Sequence, residues 1–191
     1  MCMTSSMPAK TTCNIAGGLL RILVAKASDL NASTLTITNT GITRHQITAI
    51  AAILNWYEIK FDKNRDASAT AENLRAGASA FSHNISALIS TDDFETQRSL
   101  IDLQDCCGYI ALIKHASGNW ALYGLNYSKN DATYDSADAQ VKFDFATGAN
   151  RADEAVGATL TLSSPNVNFT WLPVSPSAAA TAVAAIVVHT P

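Results

Sequence analysis

Several short stretches of this chain alternate apolar and polar residues with a period of two. Trp56-Tyr57-Glu58-Ile59-Lys60-Phe61-Asp62 and Val141-Lys142-Phe143-Asp144-Phe145 are the clearest, and Thr159-Leu160-Thr161-Leu162 repeats the pattern. Successive side chains of an extended strand point to opposite faces, so this period buries one face and leaves the other to a different environment. Leu35-Thr36-Ile37-Thr38 alternates as well, and residues 81–89 carry Phe81, Ile85, Ala87 and Ile89. Residues 109–113 and 120–125 read as a hairpin around Ala116-Ser117-Gly118-Asn119. Phe169-Thr170-Trp171-Leu172, bounded by Pro173 and Pro176, closes the series. The apolar run from Leu19 to Val24 precedes it, and residues 42–54 fit either a helix or a strand.

Residues 92–106 predict a helix. Asp92 can cap it, Glu95 stands three positions on as in a capping box, and Phe94, Leu100, Ile101 and Leu103 supply an apolar stripe that Gly108 ends. About eight strands and one helix predict a mainly β fold, a β-sandwich or barrel with one flanking α-helix. Residues 63–79 are polar with little to bury, so the strands at Trp56 and Phe81 are expected to be joined as a long hairpin with a projecting loop. The expected organisation is an N-terminal arm over 1–34, a sandwich over 35–172 and an Ala-rich C-terminal extension over 173–191.

At 191 residues the chain has the length of one domain. Charged residues make up only 15%, against a usual value of about 25%, as on surfaces that meet other subunits and as in some secreted β-proteins. With 13 basic and 16 acidic residues there is no basic footprint for gripping nucleic acid. No run approaches the roughly 20 apolar residues of a membrane span, and the first ten residues lack a charged segment leading into an apolar one, so neither a membrane anchor nor a secretion signal is expected. Cys2, Cys13, Cys106 and Cys107 do not form a disulfide framework, which points to reduced thiols. The Asn-x-Ser/Thr sequons at Asn31, Asn84, Asn126 and Asn168 are near chance in so Ser- and Thr-rich a chain.

Little in the sequence points to catalysis. Cys106 and Cys107 with His115 lack the spacing of a zinc site, so a buried structural thiol is the better reading. His45, His83, His115 and His189 stand apart from any nucleophile motif. Gly17-Gly18 has no phosphate-loop context and reads as a hinge. Asp131, Asp135 and Asp138 near Tyr134 lack the spacing, glycine and distal glutamate of a calcium loop, and Asp153 and Glu154 read likewise as a solvated turn. No catalytic, cofactor-binding or metal-binding residue is therefore expected. The strand aromatics are expected in the core, since a nucleic-acid stacking platform would interleave them with Lys and Arg.

The order of these pieces carries a resemblance. Cys13 and Gly17-Gly18 precede an apolar run, a strand at Trp56 leads through a long polar stretch to a strand at Phe81, and a capped helix at Asp92 follows. Then come the hairpin with Ser117-Gly118-Asn119-Trp120, Leu122-Tyr123-Gly124-Leu125, and Thr147-Gly148 with Gly157-Ala158-Thr159-Leu160-Thr161-Leu162. Over residues 13–172 the chain resembles the tail tube proteins of long-tailed bacteriophages, particularly divergent ones from phages of Bacteroidetes-type hosts. The resemblance implies a β-sandwich with a flanking helix and a long hairpin loop, six subunits to a ring, and rings stacked into a hollow tube around a tape-measure protein. It implies a virion protein assembled in the host cytoplasm, with the tail terminator and distal tail or baseplate proteins as further partners and genome DNA passing without sequence-specific binding. On it, the inter-ring loop would present Lys63, Asn64, Arg65, Asp66, Glu72 and Arg75, and Glu58, Asp62, Asp144 and Glu154 would face the lumen. A tail terminator or baseplate component is the nearest alternative. A carbohydrate-binding β-sandwich, which requires exposed aromatics at a sugar-sized cleft, is a more distant one.

Overall fold

Ile22, Leu23, Val24 and Ala25 are all completely shielded from solvent. A strand covered on one face buries only every second residue, so four in succession require a layer on each side. The computed structural model, which describes residues 18–41, 44–61, 67–74, 80–90, 108–139, 141–147 and 157–187, supplies those layers. The strands are β1 (Leu19–Lys26), β2 (Leu35–Thr38), β3 (Gln46–Ile50), β4 (Tyr57–Ile59), β5 (Ser68–Asn73), β6 (Phe81–Ser90), β7 (Tyr109–His115), β8 (Trp120–Tyr123), β9 (Lys142–Thr147), β10 (Gly157–Val167) and β11 (Leu172–Val174). A helix, α1 (Pro176–Ala184), follows β11.

The strands form two sheets, a seven-stranded one ordered β2-β3-β11-β8-β7-β1-β4 and a four-stranded one ordered β5-β6-β10-β9. The chain is thus a mainly β sandwich with a flanking helix. One core lies between the sheets, where Ile22, Val24, Ala111 and Ile113 meet Ile85, Ala87, Leu160 and Leu162. The other lies on the far face of the larger sheet, where Leu23, Ile47, Ile110, Leu112 and Leu122 meet Trp56, Leu54 and the helix. Each fully buried large aliphatic side chain contributes about 1.5–3 kcal/mol.

Sequence explains the local choices. The β7–β8 hairpin turns where expected, with Gly118 at φ +86° beyond the reach of most other residues. Ser175 caps α1 by accepting from the Ala178 N–H at 3.2 Å, and Pro176 opens the first turn, where its missing N–H is not needed. Ala178, Ala179 and Ala182 are small enough to bring the helix close onto the sheet. At the β2 edge, the Tyr134 hydroxyl accepts from the Leu35 N–H and donates to the Leu35 carbonyl, so a side chain occupies backbone groups that would otherwise recruit a strand.

Several expectations require correction. The N-terminal segment is no separate arm from 18 onward, because β1 pairs with both β7 and β4 inside the larger sheet. The segment after 172 is no extension of the sandwich either: β11 continues to Val174 between β8 and β3, and α1 caps the core on the far face of the larger sheet. The expected strand at 169–172 begins three residues later, with Pro173 inside it. The predicted helix at 92–106 lies outside the described residues, so the flanking helix seen is α1. Finally, β4 and β6 are not one hairpin. They belong to different sheets, and β5 stands within the expected loop as the hairpin partner of β6. Ser-Ala-Thr-Ala-Glu-Asn has weak strand propensity, but Ala67 and Ala69 still face the inter-sheet core, and pairing with β6 decides its conformation.

Candidate functional site

The outer face of the four-stranded sheet is built by the residues between the buried ones. Two rows cross all four strands in register, Ser68, Ser86, Thr161 and Asp144, then Thr70, Asn84, Ser163 and Lys142. Neighbouring strands lie about 4.8 Å apart, so hydroxyls and an amide form a continuous polar surface. Ionised groups on it are sparse among the described residues: Glu72, Lys142 and Asp144, all exposed. Among the described residues no strand pairs with the outer side of β5 or of β9.

The predicted acidic set does not share this surface. Asp144 lies on it, but Glu58 lies on β4 in the other sheet, in register with Leu23 of the far core. Glu58 accepts from Arg21 Nε at 2.7 Å, and the bond raises the guanidinium pKa further. Asp62 and Glu154 lie outside the described residues. Of the expected inter-ring loop, Lys63, Asn64, Arg65, Asp66 and Arg75 also lie outside them, and Glu72 stands on β5 opposite Ser82 rather than in a loop. The Ser, Thr and Asn positions are legible as the polar half of the alternation at 81–89 and 159–162.

A groove of about 740 Å³ opens beside the β7–β8 hairpin. Its lining includes Trp171, Tyr123, Pro173, Asn119, His115 and Gln46. Trp171 is 46% exposed, and its ring lies 6.4 Å from that of the buried Tyr123 at a 35° tilt. Burial pushes the Tyr123 phenol up to about 12 and lowers the His115 pKa, so both are neutral near pH 7. The phenol oxygen and His115 Nε2 share a hydrogen bond at 3.3 Å. Among the described residues its lining includes no carboxylate, and these residues offer polar contacts and an indole face.

The histidines are dispersed. His45 Nδ1 bonds the Tyr127 hydroxyl, His83 is held between Gly124 and Phe169, and His115 meets Tyr123. His189 and all four cysteines lie outside the described residues. Asp135 and Asp138 close a capping box on a short 3-10 turn, which uses their oxygens for backbone N–H groups. Burial, the largest influence, raises the Asp138 pKa. Among the described residues no group of three or more His, Cys, Asp or Glu side chains is placed to hold a metal ion. Also among them, no helix is long and apolar enough to cross a membrane.

Comparison of the chain with family models, curated proteins and solved structures returns no match.

Proposed function

We propose that this protein is a structural virion subunit whose rings stack into a hollow tail tube that conducts genome DNA. The observation that supports this best is the four-stranded sheet, whose edge strands β5 and β9 have no further strand partner among the described residues and whose outer face is polar and sparsely charged. Identical open edges favour edge-to-edge pairing of copies, and repetition about an axis closes a ring. Facing inward, the rows from Ser68 to Asp144 and from Thr70 to Lys142 would give a wetted wall. DNA carries one charge per about 1.7 Å and is gripped in proportion to the phosphates that Lys and Arg neutralise. A face with one lysine among its described residues, beside Asp144 and Glu72, offers little grip. The tape-measure, terminator and distal tail partners follow from the resemblance and belong to the same proposal.

Negative-stain microscopy of the purified protein across a concentration series tests the reading. Hollow tubes or stacked rings of uniform width are expected. Discrete rings that never stack would favour a terminator or adaptor, and a monomer at every concentration would count against the tube.

A further inference from the structure

The groove beside the β7–β8 hairpin plays no part in the assembly proposed above. Its clearest feature is Trp171, a large apolar ring left 46% exposed at the mouth of a cavity. Beneath it Tyr123, Ala121 and Pro173 make an apolar floor. Ser117 and Asn119 stand exposed on the hairpin turn, and Gln46 faces in from β3. Among the described residues none of these three side chains bonds another side chain, and their hydroxyl and amide groups line the groove. Among the described residues the only ionised one in the lining is Lys114, whose ammonium lies 5.7 Å from the centre of the Trp120 ring. The volume of about 740 Å³ is within the roughly 300–1,000 Å³ typical of small-molecule sites.

We infer that this groove binds a neutral pyranose, a sugar unit of an oligosaccharide, stacked on Trp171 with its hydroxyls bonded by Asn119, Ser117 and Gln46. A pyranose has what this lining complements: an apolar C–H face for the indole and a rim of hydroxyls for amides and a hydroxyl. A cationic ligand meets no carboxylate here. An anionic ligand meets a single lysine, against the several contacts that phosphate or nucleic-acid recognition uses. The floor and Trp171 come from β8 and the β11 segment, which the larger sheet holds in register, so the platform is pre-organised.

The test is a titration of tryptophan fluorescence with pentasaccharides of glucose, mannose and N-acetylglucosamine, raised to about 10 mM each. At least one is expected to give a saturable change with Kd between about 10 μM and 1 mM. Trp171→Ala should weaken it at least about tenfold and Asn119→Ala several-fold, with circular dichroism unchanged, whereas Ile53→Ala, a change at an exposed residue not among the groove lining, should match the parent. Raising salt should alter Kd less than about twofold, because the ligand carries no charge. No saturable response to any of the three, affinity retained in Trp171→Ala, or tighter binding of a proline decapeptide would overturn the inference. Because tube formation is scored separately by microscopy, failure of either proposal leaves the other standing.

Discussion

His83 Nδ1 accepts a hydrogen bond from the Gly124 N–H at 3.0 Å, while His83 Nε2 donates to the Phe169 carbonyl at 2.6 Å. A β6 side chain thus ties the end of β8 to the segment entering β11, and the two bonds select the neutral imidazole with its proton on Nε2. Burial lowers the His83 pKa from 6.5 and outweighs the opposing backbone carbonyl. With the folded value depressed, both states are neutral at high pH, and the unfolded chain takes up a proton first as pH falls. Stability should therefore be level above about pH 6.5 and decline from there towards the folded pKa. Thermal denaturation from about pH 8 to pH 5 should show this. His45 and His115 are also depressed, so His83→Ala should reduce the slope, and by more than His45→Ala or His115→Ala. It should also cost about 2–4 kcal/mol through the two stranded backbone groups and the lost volume.

Gly124 shows how tightly this junction packs. It sits at φ +77°, and a Cβ there would stand 2.1 Å from Val141 Cγ2 and 2.9 Å from Ser164 Oγ. Gly124→Ala should cost about 3 kcal/mol or more, by combined strain and overlap. Gly118, at φ +86° with nothing within 4 Å, isolates the backbone effect. Gly118→Ala should cost about 1 kcal/mol, and urea denaturation of the two variants separates the terms.

Removing the Tyr134 hydroxyl tests the guarded β2 edge. Tyr134→Phe keeps the ring but takes the hydroxyl away from the Leu35 N–H and carbonyl, while Thr34 keeps its bonds to Asn31. A loss of about 1–3 kcal/mol is expected in chemical denaturation. Faster amide exchange at Leu35 should accompany it.

The Arg21–Glu58 bond is close, yet both side chains are 28% exposed. Glu58→Gln should cost no more than about 0.5–1 kcal/mol, and the difference should shrink in high salt. Denaturation at low and high ionic strength measures both.

On the assembly reading, the outer face of the four-stranded sheet is chosen for weak grip. Thr161→Lys should leave stability within about 0.5 kcal/mol. Assembled particles should then retain DNA in filter binding, with a salt slope steeper by about 0.9 for each phosphate neutralised. Unchanged DNA retention would argue against a lumen position for Thr161.

The alternation at 141–145 and 159–162 became β9 and β10, the turn at 116–119 closed the β7–β8 hairpin, and the mainly β sandwich was legible from such local patterns. These features depend on neighbours in the chain, which is why the residues alone predict them. Other outcomes depend on distant partners. The run from Leu19 to Val24 contains no period that tells which layers will cover it, yet from Ile22 onward both of its faces are buried. Nothing local in the segment around 68–73 overcomes its small polar residues, and β6 makes it a strand. Prolines flanking Val174 suggest an end to regular structure, whereas β3 and β8 hold β11 between them and Ser175 starts a helix immediately afterward.

The candidate surfaces divide the same way. The amino-acid order determined which side chains alternate, and hence that a Ser-, Thr- and Asn-rich face would exist opposite a core. It also placed an aromatic residue at 171, two positions before a proline. Only the tertiary structure decided that Glu58 and Asp144 belong to different sheets, that the polar residues of four strands align in rows, and that Trp171 overlooks a groove beside residues some fifty positions earlier. Strand alternation is local geometry, whereas sheet order and register follow from long-range burial of complementary faces, which no short window of sequence contains.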